Sequence, residues 1–251
     1  MLHQESSNRI SVNVFVIGNE ATPESIRSKV AEAVSGINPK QSKTKKGFRW
    51  TLQQDKYLDS KEVKKLRRNL LRKKDNSLLR SRVYDWFLVE LALNSGLRVM
   101  EITNLVWQDI SEKNSCIQIY VRKGKFSKAR TVICGDQLKE PLQAFKSWKQ
   151  DNGEPLRKDA PVFYSNRTGK SMTRRALQAS VKRSMSRAKL NRNYSIHCLR
   201  HTFATHLLKA SSWNLRFVQQ QLGHSSIATT EIYAKVMSKD GEKAMKRLYQ
   251  T

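Results

Sequence analysis

The chain has 251 residues, with 48 Lys and Arg against 21 Asp and Glu for a formal net charge of +27; 38% of its residues are hydrophobic and 8% aromatic. That apolar content supports a packed core and excludes a disordered basic tail, while no run approaches the roughly 18 apolar residues of a membrane span. A charge several times the roughly 2–8 usual for a small soluble domain carries self-repulsion and implies a polyanionic partner, nucleic acid or an anionic membrane surface.

In chain order, Ile10, Val12, Val14 and Val16 alternate as a strand does. Thr22-Pro23-Glu24 then opens a helix that Ile26, Val30 and Val34 continue until Gly36 and Pro39. We read 1–38 as a short β-α segment, 39–56 as a basic linker and 57–251 as the main domain. Asp59 or Ser60 caps a helix carrying Val63, Leu66 and Leu70. Val83 to Leu93 is apolar nearly all round and closes at Asn94-Ser95-Gly96, a buried helix. Another runs from Met100 to about Val106. The period then changes: Ile117, Ile119 and Val121 alternate, Gly124 turns, and Thr131 to Cys134 return as an antiparallel partner. Helices resume near 137–148, 173–190, 198–209 and 215–222, and again after Lys239. The expected class is mainly α with a small antiparallel hairpin or sheet, α+β.

The charge is uneven. Residues 1–38 carry a net −1, whereas 160–230 hold twelve Lys and Arg and no acid. Three cysteines at 116, 134 and 198 form no metal spacing and suit a reducing compartment. The opening residues show no basic stretch followed by an apolar one, so a cytoplasmic location is expected. Thr168-Gly169-Lys170-Ser171 imitates the end of a phosphate-binding loop, but Tyr164 stands where its first Gly belongs, so ATP binding is not expected. His197 and His201 share a helix face, yet no Cys or carboxylate clusters nearby to complete a metal site.

What the sequence does offer is cationic side chains. Gly96-Leu97-Arg98 precedes Glu101; Lys123 stands in Arg122-Lys123-Gly124, with Lys125 beside it. His197-Cys198-Leu199-Arg200-His201 is followed by Leu222-Gly223-His224, and Tyr233 lies nine residues on. Taken singly, each has a plain structural reading as a helix junction, a solvated turn or half-buried packing. Together, with Thr202 to His206, Ser225-Ser226 and Thr229 to Ile232 around them, they resemble the catalytic domain of the tyrosine recombinases, the phage integrase family, over about residues 57–240.

The resemblance implies breakage and rejoining of duplex DNA through a 3′-phosphotyrosyl link, without cofactor, metal or ATP. Tyr233 is then the nucleophile, and with an ordinary pKa near ~10 it needs a proton acceptor. Arg98 and Arg200 present planar forks to the non-bridging oxygens, and His224 donates a further hydrogen bond. By the family's usual roles, His197 accepts the phenol proton and Lys123 protonates the leaving 5′-oxygen. Glu101, one turn after Arg98, either orients it or forms a plain surface pair; both readings stand. Arg174, Arg175, Lys182 and Arg183, on a helix whose core stripe is Leu177, Val181 and Met185, are the expected DNA contacts, with Lys125 of the hairpin turn.

Members usually carry a helical core-binding domain of about 80–100 residues ahead of this one. Here only some 50 residues precede it, so that domain is expected to be absent or replaced, and the chain is a minimal recombinase, a fragment, or one that relies on a partner for part of its grip. Strand exchange implies a homotetramer on two synapsed sites, and a helix after Tyr233 with Ala244, Met245 and Leu248 packs on a neighbour or on its own domain. Two other readings remain: relaxation of DNA in the manner of a type IB topoisomerase, and a DNA-binding regulator derived from the same fold.

Overall fold

The computed structural model describes residues 56–70, 79–113, 116–122, 129–190, 194–224 and 226–235. The expected β-α segment at 1–38, all of the linker except Lys56, the helix after Lys239, and both Lys123 and Lys125 lie outside them.

The described residues form helices α1 (Ser60–Leu70), α2 (Arg80–Ser95), α3 (Val99–Thr103), α4 (Lys139–Asp151), α5 (Arg174–Arg187), α6 (Ile196–Ala210), α7 (Leu215–Leu222) and α8 (Ala228–Lys235). Strands β1 (Ile110–Lys113), β2 (Cys116–Val121) and β3 (Arg130–Cys134) make an antiparallel sheet in that order, and β4 (Tyr164–Ser165) pairs with β5 (Lys170–Ser171). The mainly helical α+β class therefore holds. No described helix is long and apolar enough to cross a membrane.

Nearly every residue of α2 from Val83 to Ser95 is buried, because α1, α4, α5 and α6 all pack round it. That is why its apolar residues show no single face. A capping box opens α1: Asp59 Oδ1 accepts the Glu62 N–H at 2.8 Å and Glu62 Oε2 accepts the Asp59 N–H at 3.0 Å. Thr173 caps α5 by accepting the Ala176 N–H at 3.2 Å, and Leu177, Val181 and Met185 are buried as the stripe predicts.

Several boundaries differ from the periodicity. Helix α3 stops at Thr103 rather than Val106, because Leu105 and Val106 are extended and pair with the 160s, where the Val162 N–H donates to Leu105 O at 3.0 Å. Strand β1 reads Ile-Ser-Glu-Lys, without apolar alternation, and becomes a strand only by pairing with β2, Ile110 facing Ile119. The β4–β5 hairpin and the eight-residue α8 were likewise not legible as periodic segments.

One expected DNA contact also has a partner in the core. Asp85, fully buried in α2, receives the Ser180 hydroxyl, Arg183 Nε (3.1 Å) and Nη2 (2.7 Å), and Arg187 Nη1 (2.8 Å). Arg183 neutralises this carboxylate through Nε and Nη2 while its side chain stays 45% exposed. Asp85→Ala leaves the buried Ser180 hydroxyl unpaired and two part-exposed guanidinium groups without their counter-charge, and is expected to lower stability by about 1–3 kcal/mol, read by denaturant unfolding. Arg174, Arg175 and Lys182 are exposed on the same helix as well. Opposite, Lys149 is fully buried and donates to Glu154 Oε2 (2.7 Å) and Tyr84 OH (2.9 Å), tying the end of α4 to α2.

Candidate active site

Helix α2 ends at Gly96, whose φ of +59° is left-handed; a Cβ there would lie 2.3 Å from the Phe203 ring. Glycine is thus required for conformation and for space. The turn it permits brings Arg98 to the start of α3. There Glu101 Oε2 accepts the Arg98 N–H at 2.8 Å, and Glu101 Oε1 accepts from Arg98 Nη1 at 3.0 Å. Glu101 does more than pair on a surface: its side chain is only 5% exposed, and it takes Arg130 of β3 fork to fork, Nη1 at 2.8 Å and Nη2 at 2.9 Å. Burial alone would raise the Glu101 carboxyl, but the hydrogen bonds and charge of Arg130, aided by Arg98, hold it below the usual carboxylate range.

The C-terminal end of α7 gathers three arginines. Arg130 Nε donates to Gln221 O (3.1 Å), Arg200 Nη2 to Leu222 O (2.8 Å) and Arg98 Nη2 to Gly223 O (3.2 Å). These are three successive carbonyls at the negative end of a helix, each meeting one guanidinium. Gly223 caps α7 with φ +64°, and a Cβ on it would fall 2.8 Å from Arg130 Cδ. The glycine of Leu222-Gly223-His224 therefore lets the carbonyls turn toward the arginines while Arg130 passes close beneath. Arg200, on α6 and nearly buried, also donates from Nη1 to Gly96 O at 2.5 Å, linking the ends of α2 and α7. Its pKa is drawn down to about 10 by burial and by Arg98, which leaves it charged at neutral pH.

His224 follows immediately. Its Nδ1 lies 3.0 Å from the hydroxyl of Thr230, a fully buried residue of α8. With that hydroxyl donating, the ring proton sits on Nε2, which becomes the donor on the other side of the ring. Burial and the charges of Arg200 and Arg98 lower the His224 pKa to about 3, so the ring is neutral across the working range. Thr230→Val, which keeps the shape and removes the hydroxyl, is expected to slow the strand cleavage that the sequence resemblance implies about tenfold, with Thr230→Ser near wild type. Nitrogen chemical shifts of His224 would show the tautomer lost in the first and kept in the second; equal cleavage rates in all three proteins would sink this role.

Tyr233 projects from α8 into a small apolar cluster of Phe203, Ala204, Leu208, Val218 and Leu222, and is 1% exposed. Its ring lies nearly parallel to that of His224, centroids 6.4 Å apart. The phenol oxygen is 2.9 Å from Nδ1 of His201. Burial raises its pKa to about 12 even though Arg200 and Arg98 pull the other way. His201 is lowered to about 4 by burial and by His197 and Arg200, so it is neutral and able to accept from the phenol.

The structure thus brings Arg98, Arg200, His224, Glu101 and Tyr233 together. His197 is exposed at the start of α6, its pKa lowered by desolvation and by Arg200 and Arg98, while the tyrosine hydroxyl meets His201 rather than His197. Sequence reasoning missed Arg130, Thr230 and the His201 contact. For Arg130 a signal existed: it shares the inward face of β3 with buried Val132 and Cys134, an unusual place for a charge.

The sequence resembles tyrosine recombinase XerC of Xanthomonas axonopodis pv. citri, 38% identical over 149 residues, 59% of this chain and 46% of that protein. XerC of Pseudomonas putida is also 38% identical, over 59% of this chain and 47% of its own length. The chain spans about half the length of the curated relatives it matches. Among solved structures, the fold matches XerH site-specific recombinase in its pre-cleavage complex with difH substrate, with a TM-score of 0.61 and 27% identity over 73% of this chain and 50% of that one. It also matches XerA recombinase, with a TM-score of 0.57 and 29% identity over 70% of this chain and 59% of that one. Residues 56–239, the span that holds all these side chains, match the phage integrase family model, and the chain belongs to that family of tyrosine recombinases.

Proposed function

We propose that this chain is a site-specific recombinase that cleaves and rejoins duplex DNA through a 3′-phosphotyrosyl intermediate. The observation that carries the reading is the gathering of Arg98, Arg200, His224 and Tyr233 about the C-terminal end of α7. The two guanidinium groups hold the non-bridging oxygens of the scissile phosphate, and His224 Nε2–H adds a third donor where charge grows. Such a preorganised donor is worth about 2.7–4 kcal/mol of barrier. Tyr233 Oη bonds to phosphorus as the bond to the 5′-oxygen breaks. The phenol proton passes to a neutral histidine, His197 by the family's usual role or His201, whose Nδ1 lies 2.9 Å from the hydroxyl, and Lys123 supplies a proton to the departing 5′-oxygen. The reverse step, with a 5′-hydroxyl from another strand, releases Tyr233 and seals the DNA. Because the phosphotyrosyl bond retains the energy of the one it replaced, no nucleotide is consumed.

Exposed Arg174, Arg175 and Lys182 on α5 supply phosphate contacts in this reading, with Lys125 adding to them. Four protomers on two synapsed sites carry out strand exchange, and a core-binding domain or an accessory protein completes the grip. The solved complex of XerH with difH supports DNA as the partner.

The test uses nicked duplexes that trap the cleaved strand. Random-sequence nicked duplexes are incubated with the protein in chelator and without nucleotide, and covalent 3′ adducts are isolated and sequenced. Adducts that converge on one site are expected. Adducts at any sequence, with relaxation of any supercoiled plasmid, would replace recombination by topoisomerase action. Tight duplex binding with no adduct would make the chain a regulator.

A further inference from the structure

Arg130 belongs to none of the catalytic positions assigned above, yet it makes three side-chain hydrogen bonds among them. The Glu101 carboxylate has room for about four donors, and four are present: the Arg98 N–H and Arg130 Nη2 on Oε2, with Arg98 Nη1 and Arg130 Nη1 on Oε1. Of these, the bond to the Arg98 guanidinium is the longest, at 3.0 Å, against 2.8 and 2.9 Å for Arg130. Arg98 therefore spends one guanidinium N–H on Glu101 and one on Gly223 O, leaving three of its five unused among the described residues.

We infer that Arg130 is a positioning residue for the cleavage step: by occupying both oxygens of Glu101 it stops that carboxylate from claiming Arg98, and so keeps Arg98 open to the phosphate. This rests on the recombinase reading of the site. Glu101 aligns Arg98 through its backbone N–H and one side-chain bond, but an acid beside a phosphate site is a hazard. Left alone, a buried carboxylate closes on the nearest guanidinium fork to fork, because that geometry satisfies both oxygens. Its charge then also opposes the incoming phosphate. Arg130 removes both problems and is itself anchored by Nε on Gln221 O and by close contact with Gly223. With Arg130 in place, three guanidinium groups face one carboxylate, an excess of two positive charges matching the charge that builds on the reacting phosphate.

The role predicts a sign that simple scaffolding does not. Single-turnover cleavage is measured on nicked duplexes carrying the site recovered by covalent capture, at saturating duplex, for wild type, Arg130→Met, Glu101→Gln and the double variant. Arg130→Met is expected to cleave about 100-fold more slowly while binding the duplex within about threefold of wild type. Glu101→Gln slows the wild type a few-fold, since an amide holds Arg98 less well. In the Arg130→Met background the same change is expected to accelerate cleavage at least about tenfold, because it removes the charge that captured Arg98. Arg130→Met cleaving at the wild-type rate would overturn the inference, as would a double variant no faster than Arg130→Met, the pattern of a structural clamp. If Arg130→Met fails to fold, Arg130→Lys with and without Glu101→Gln decides by the same sign. A wild type that forms no adduct overturns this inference together with the recombinase reading; adducts from wild type with no Arg130 effect overturn this inference alone.

Discussion

Tyr233→Phe is expected to abolish the covalent adduct, a loss of at least about 10⁴-fold in cleavage, while leaving the fold and duplex binding in place. The substitution removes one oxygen from a ring that is 1% exposed among Phe203, Leu208, Val218 and Leu222, so packing is preserved. The hydrogen bond to His201 disappears with it, a change of about 1 kcal/mol in stability. The effect on chemistry is total because no other described hydroxyl replaces the phenol beside Arg98 and Arg200. The buried phenol, at a pKa of about 12, would need about 7 kcal/mol to ionise at neutral pH. Its proton therefore leaves as the bond to phosphorus forms, not before. Denaturing gels read the adduct and native gels the unchanged affinity. An adduct formed by the Phe variant would place the nucleophile elsewhere.

Arg200→Lys is expected to cost about 10³-fold in cleavage with less than about tenfold in duplex affinity. Arg200 donates from Nη1 to Gly96 O and from Nη2 to Leu222 O, so its planar fork bridges two helix ends. An ammonium carries the same charge but cannot reach both carbonyls and present a flat edge to phosphate oxygens. The variant therefore separates geometry from charge. Arg200→Ala goes further: it strands two buried carbonyls and lowers stability by about 2–4 kcal/mol, so the lysine variant is the cleaner probe. Cleavage by Arg200→Lys within tenfold of wild type would show that positive charge alone suffices.

Much of this site was legible before any coordinates. Arg98, Arg200, His224 and Tyr233 stand in motifs whose flanking residues are as specific as the catalytic ones, and Gly96 and Gly223 sit where left-handed backbone was needed. The buried character of α2 and the stripe on α5 followed from periodicity. Arg183 shows the opposite case. In sequence it is one more cation in a stretch without acids; its counter-charge, Asp85, lies 98 residues earlier. A local count of charge cannot see a partner brought in by packing.

Arg130 and Thr230 teach the same lesson at the site itself. Period 2 put Arg130 on the inward face of β3, but nothing local said that Glu101, 29 residues upstream, would meet it fork to fork. Thr230 lies six residues from His224, yet touches it only because the chain turns between α7 and α8. His201 shares a helix face with His197 without completing a metal site; the structure turns its Nδ1 to Tyr233.

The sequence by itself determined the longer helices, the β2–β3 hairpin and the family, because motif residues and helical or strand period are local patterns. Which donor meets which acceptor was decided only by the tertiary structure. Hydrogen bonds and ion pairs form between whatever groups packing brings within about 3 Å, and the three arginines on successive carbonyls of α7 come from three separate elements that meet only in the fold.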